Sequence, residues 1–178
     1  GTVYRAERPQ KGRLREFTQC DIDVMGSSSP NIEVELLHVV SEALIASGLK
    51  KFTIKVNDRK VLRSMLMSMG FQENDLDSVS ISFDKLDKIG VEGVTQELTD
   101  KGFAEDAILK LKKNLENGGF DLDDPALNLQ DGDSVRNLKY IIEESARIAE
   151  TNSAAYDDAD YRVVFDPSLV RGQGYYTG

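Results

Sequence analysis

Residues 2–7 and 16–25 alternate with a period of two, and the turn-forming run Pro9–Gly12 lies between them, which commits the start of this chain to a β-hairpin. By parity, Val3, Arg5 and Glu7 share one face of the first strand. Phe17, Gln19, Asp21 and Asp23 share one face of the second, and Thr18, Cys20, Ile22 and Val24 form its apolar side. An aromatic, an amide and two carboxylates turned to one side either line a site or face solvent, and alternation alone leaves both open. The loop adds charge. Arg5, Arg8, Lys11, Arg13 and Arg15 stand against the single acid Glu7, a local charge of +4 in a chain whose formal charge is −9, which leaves −13 on residues 16–178. That contrast favours a local phosphate pocket over a general nucleic-acid surface.

A length of 178 residues suits one domain, or one domain carrying a smaller inserted one. The sequence has no apolar run of membrane-spanning length and no signal-peptide pattern, so a soluble protein of the cytoplasm is expected. Cys20 is the one cysteine and His38 the one histidine, which excludes an internal disulfide and argues against a zinc site. Thr2 starts directly in a strand pattern, and the chain stops at Arg171-Gly-Gln-Gly-Tyr-Tyr-Thr-Gly178 without a closing helix. Both boundaries are expected to be cuts through a larger protein.

Beyond the hairpin, Pro30 opens a helix to about Ser47 with an apolar stripe of Ile32, Leu36, Val39, Val40 and Ala43, and Phe52–Asn57 reads as a buried strand. Helical patterns follow at 59–69, 77–89, 92–101, 104–117 and 134–150, and a strand returns at 161–165. The expected fold class is α+β with segregated helices. The expected divisions are 1–57 as the first part of a core, 58–150 as a helical insertion and 151–178 as the second part of the core. Cys20 is expected to be a small buried apolar group, and His38 to be structural. Asp121–Asp124 lacks the glycine and glutamate spacing of a calcium loop, and Gly172 and Gly174 lack the third glycine and the following helix of a dinucleotide loop.

The unbroken run Arg5-Ala-Glu7-Arg8-Pro-Gln-Lys-Gly-Arg13-x-Arg15-Glu-Phe17-x-Gln19 resembles the second signature motif of class II aminoacyl-tRNA synthetases, in the form typical of histidyl-tRNA synthetases. Leu169-Val-Arg171-Gly-Gln-Gly-Tyr175-Tyr176 resembles that family's histidine-specific segment, with Gly174 where aspartate is common. Phe52–Lys60 and Phe83–Lys88 resemble its eukaryotic, archaeal and related bacterial branch. The resemblance implies part of the class II antiparallel-sheet core. It implies an enzyme that uses ATP, with Mg2+ bound to it, to make histidyl-adenylate and then charges the histidine tRNA.

It further implies Arg5 on the α-phosphate, Glu7 and Arg13 near adenine and the outer phosphates, and Phe17 stacked on adenine. Gln19 would lie near the histidine α-amino group and Asp23, where many members have glutamate, near its imidazole. Arg171 would stabilise the reacting phosphorus, with Tyr175 and Tyr176 beside the histidine side chain. No metal site is expected on the protein itself. The family's dimer-forming first motif, its third motif and its anticodon-binding domain are not in this sequence. A dimeric parent and an inactive isolated segment are therefore expected. The alternative is a synthetase-like binding paralogue, such as the regulatory subunit of ATP phosphoribosyltransferase. Retention of Arg5, Arg13 and Arg171 favours the enzyme.

Overall fold

The computed structural model describes residues 1–6, 8–117, 120–125, 129, 132–156 and 158–170. Strands β1 (Thr2–Tyr4) and β2 (Glu16–Thr18) form the antiparallel hairpin, and α1 (Asn31–Ala46) leads to β3 (Lys51–Val56). Helices α2 (Arg59–Met69), α3 (Leu76–Phe83), α4 (Leu86–Asp100), α5 (Glu105–Glu116) and α6 (Gly132–Ala155) follow, and β4 (Asp160–Phe165) pairs with β3 in parallel from Lys51↔Asp160 to Val56↔Phe165. The protein is thus α+β, with one small antiparallel and one small parallel sheet among the described residues. A parallel pair needs a long crossover, and here the helical stretch supplies it.

The helical stretch organises itself around one apolar cluster. Asp58 caps α2 by accepting from the amides of Lys60 (2.7 Å) and Val61 (3.0 Å), and Gly70 closes the helix in the left-handed backbone (φ 108°). Between those caps Val61, Leu62, Met65, Leu66 and Met69 fall on one buried face. They meet Leu76, Val79 and Phe83 of α3, Val94 and Leu98 of α4, Ala107, Ile108 and Leu111 of α5 and Leu138 of α6. Phe83 is fully buried and sets its ring edge-on to Phe120 at 6.2 Å. A second cluster joins the sheet to the long helices: Phe52 stacks on Tyr161 at 4.7 Å, beside Ile45, Ala149 and Ala159. There Asn152 donates to the Tyr161 hydroxyl at 2.9 Å, which satisfies a buried polar pair.

Four local expectations change. Only Glu16–Thr18 of the expected strand 16–25 is β structure, and Cys20 is exposed, not buried, as are Ile22 and Val24. Among the described residues no strand pairs with that stretch and no apolar layer covers it. β3 is half-buried, with Lys51, Thr53 and Lys55 outward and Phe52, Ile54 and Val56 inward. α1 packs through Ser41 and Ile45, while Val39, Val40 and Ala43 of the anticipated stripe are exposed. The helix is apolar on most sides, so its periodicity does not select a face. Finally, the chain breaks between α3 and α4 at Asp84–Lys85, and Gly90 (φ 69°) kinks α4 instead of ending a helix.

Glu97 holds that break together. Both its oxygens lie 2.8 Å from Lys85 Nζ, Lys101 Nζ is 3.0 Å from Oε1, and the Ser82 hydroxyl donates to Oε1 at 3.0 Å. These hydrogen bonds, Lys85 first and Lys101 second, hold its pKa down to about 2 from an ordinary 4.5. A carboxylate with a depressed folded-state pKa stabilises above its unfolded value and loses that contribution as pH falls toward the folded one. Glu97→Gln is therefore expected to cost about 1 kcal/mol at pH 7, since solvent screens the partly exposed partners. The difference from wild type should vanish between pH 4.5 and about 2 in urea unfolding. An equal difference at both pH extremes would show that packing, not charge, is responsible.

Candidate functional site

The register Val3↔Phe17 puts those two side chains on one face of the hairpin. The Arg5 amide donates to the Arg15 carbonyl (2.9 Å) and the Gln19 amide to the Gly1 carbonyl (2.8 Å), so the same register runs one pair further at each end. Val3, Arg5, Arg15, Phe17 and Gln19 consequently share a face. The Arg5 guanidinium carbon lies over the Phe17 ring, 3.7 Å from its centroid, a cation–π contact that holds a long cationic side chain against an aromatic face. Arg15 stands directly across from Arg5 on the paired strand, which brings a second cationic side chain to the same face.

The turn is closed by Gln10 and Arg13, whose backbones exchange bonds of 3.1 and 2.8 Å, and Gly12 takes the left-handed conformation (φ 76°) that the turn needs. Arg13 sits at its far side, exposed. The Gln19 side-chain amide donates to Asp21 Oδ1 at 2.8 Å, and Asp23 lies beyond the end of β2, exposed. The structure therefore brings Arg5 and Phe17 into contact and leaves Gln19 and Asp23 in the irregular chain that follows β2. Glu7, Arg171, Tyr175 and Tyr176 lie outside the described residues. Among the described residues no group of three or more His, Cys, Asp or Glu side chains is placed to hold a metal, and no helix is long and apolar enough to cross a membrane.

A polar node stands where the chain runs toward Arg171, built in part from the stretches Phe52–Lys60 and Phe83–Lys88, to which the sequence assigned no site role. Lys55 Nζ is 2.8 Å from Asp166 Oδ2 and 3.5 Å from Asp87 Oδ2. Asp166 Oδ1 accepts from the Ser168 amide (2.9 Å) and hydroxyl (2.6 Å). Burial pushes the Asp166 carboxyl up, but the bonds from Lys55 and Ser168 outweigh it and hold the group below its ordinary value; the Asp166 bond in turn raises Lys55. Asn57 Nδ2 donates to the carbonyls of Pro167 (3.2 Å) and Leu169 (3.1 Å). A cleft of about 340 Å³ opens beside the node, lined by Lys55, Asp84, Asp87, Lys88, Ser168 and Leu169. The sequence signal was slight: an Asn-Asp pair after a strand and an Asp-Pro-Ser turn.

Comparison with known proteins finds relatives that cover the whole chain. The family model described as histidyl-tRNA synthetase covers residues 1–178. Histidine–tRNA ligase from Leifsonia xyli subsp. xyli is 42% identical over 186 residues, covering 99% of this chain and 41% of that protein. The enzyme of the same name from Aeropyrum pernix is 37% identical over 182 residues, covering 100% of this chain and 39% of its own. The crystal structure of histidyl-tRNA synthetase from Nostoc sp. PCC 7120 superposes with a TM-score of 0.76 at 26% identity, covering 100% of this chain and 41% of that one. The chain thus spans about two fifths of the length of these relatives. A fold and a sequence matched from the first residue to the last leave one assignment: this chain belongs to the histidyl-tRNA synthetase family.

Proposed function

We propose that this chain is part of a histidine–tRNA ligase, which joins histidine to ATP and passes it to the histidine tRNA. In this reading residues 1–57 and 151–178 are two parts of the catalytic core and residues 58–150 are a helical insertion. The observation that carries it is the Arg5–Phe17 stack on the shared face of the hairpin, 3.7 Å from guanidinium to ring centroid. The histidine carboxylate attacks the α-phosphorus of Mg-ATP, the bond to the β-phosphate oxygen breaks, and pyrophosphate leaves with its electron pair. Both reactants are negative, so the protein's task is to neutralise charge and align the groups.

Arg5 is assigned to the α-phosphate, Phe17 to the adenine ring, and Glu7 and Arg13 to adenine and the outer phosphates. Because the guanidinium rests on the ring, binding ATP would move Arg5 off the plate toward phosphate as adenine takes its place. Gln19 and Asp23 are assigned to the histidine amino group and imidazole. Arg171 is assigned to the reacting phosphorus and Tyr175 and Tyr176 to the histidine side chain. The parent is proposed to act as a homodimer, with the isolated segment inactive.

The test is isotope exchange between pyrophosphate and ATP by the full-length protein, with histidine or alanine present. Exchange that depends on histidine alone supports the reading, and no exchange, or exchange with alanine, overturns it. Within that assay Asp23→Leu should raise the KM for histidine about tenfold to a hundredfold, the worth of one lost charge-assisted hydrogen bond. An unchanged KM would remove Asp23 from the histidine site.

A further inference from the structure

We infer that Asn57 is a positioning residue for Arg171, clamping the backbone that leads into it. The inference rests on the proposed role of Arg171 and adds a residue about 110 positions away in sequence that governs it. One side-chain amide spends both its hydrogens on the chain just before Arg171: Asn57 Nδ2 reaches the carbonyls of Pro167 and Leu169 at 3.2 and 3.1 Å. Its other atom is also committed, since Oδ1 accepts from the Asp58 amide at 2.9 Å, which fixes the amide plane and leaves no freedom to flip. Asp58 in turn caps α2. The clamp therefore ties the start of the helical stretch to two of the three carbonyls just before Val170, those of Pro167 and Leu169.

Two further contacts hold the same segment from other sides. Val170, the residue immediately before Arg171, is buried in the apolar cluster of the helical stretch. Lys55 bridges Asp87 at the start of α4 to Asp166, whose other oxygen holds Ser168. Three anchors, Lys55 on β3, Asn57 just past its end and the apolar cluster of the helices, act on five consecutive residues. A loop needs no such density of contact merely to carry the chain away from the end of a strand. A group that must meet a reacting phosphorus does need it, because a displacement of about 1 Å can cost a hundredfold in rate.

Asn57→Asp keeps the acceptor toward Asp58 and replaces the donor with an oxygen that faces two carbonyls; Asn57→Ser removes the clamp without adding charge. Both are made in the full-length protein, alone and in an Arg171→Lys background, and followed by histidine-dependent pyrophosphate exchange, thermal melting and amide hydrogen exchange. The expected result is a fall of about tenfold to thirtyfold in kcat with the KM for ATP nearly unchanged. The same substitution should add almost nothing in the Arg171→Lys background, since residues that act through one group are not additive. Faster amide exchange at 168–170, with α2 protected as before, places the effect in the loop. A kcat equal to wild type, unchanged protection at 168–170, or full additivity with Arg171→Lys overturns the inference. If wild type shows no histidine-dependent exchange, the proposed function falls instead, and protection at 168–170 alone decides whether Asn57 is a clamp. Should Asn57→Asp not fold, the Asn57→Ser data carry the same readings.

Discussion

Replacing Arg5 by alanine is expected to lower histidine-dependent pyrophosphate exchange by about 10²–10³-fold, mostly in kcat. The guanidinium rests 3.7 Å from the Phe17 ring centroid and, in the proposed reading, is released beside the α-phosphate as adenine takes that ring. Charge builds on the α-phosphate oxygens as the carboxylate adds, and a fork of donors can follow that charge where a point charge cannot. Arg5→Lys should consequently recover only a small part of the loss. Neither change should disturb the fold, because an exposed cation–π stack is worth about 0.5–1 kcal/mol and the hairpin is mostly exposed. Melting curves that coincide with wild type, alongside the lost exchange, would assign the effect to chemistry. An Arg5→Ala variant as active as wild type would detach the hairpin from the reaction.

The largest effect on stability is expected at Phe83. Its side chain is fully buried, ends α3 and meets Phe120 edge-on at 6.2 Å. Truncation to alanine removes the apolar area and leaves a cavity that the surrounding Leu76, Val94, Leu98 and Leu111, all with no exposed surface, are too tightly packed to fill. A loss of about 3–5 kcal/mol is expected in urea unfolding, a large share of what a domain of this size possesses. Because Val170 packs in the same cluster, the cavity should also speed amide exchange just ahead of Arg171. A loss below about 1 kcal/mol would mean that the cluster collapses around the gap.

The hairpin and α2 were legible in the sequence because their signals are local. Alternation, a glycine at the turn and a run of arginines sit within a few residues of one another, and the helical pattern of 59–69 is equally local, while the Asp58 cap and the Gly70 stop came from the structure. α1 was legible as a helix and not as to which side packs, because several of its sides are apolar and α6, a hundred residues on, makes the choice. The kink at Gly90 was visible as a helix boundary, whereas the break at Asp84–Lys85 carries no glycine or proline and is set by where Glu97 gathers Lys85, Lys101 and Ser82.

For the candidate site, the residue types were readable and part of their grouping was too. Parity placed Arg5 with Val3 and Phe17 with Gln19, and the two-residue repeat of a strand makes that a matter of counting. That the two faces are one, with Arg5 against Phe17, depends on which residues pair across the hairpin, a register settled by the turn at Lys11–Gly12. The Asn57 clamp had no such signal, since its partners are backbone carbonyls, which every residue has and no sequence distinguishes.

The sequence by itself determined the α+β class, the basic hairpin, the run of α2 and, through short motifs at 5–19 and 169–176, the family, each signal carried by residues close together along the chain. The tertiary structure decided the parallel pairing of β3 with β4, the packed face of α1, the exposure of Cys20 and the hold on the chain before Arg171. Each of these depends on atoms brought together from far apart, at distances of a few ångströms that local pattern does not encode.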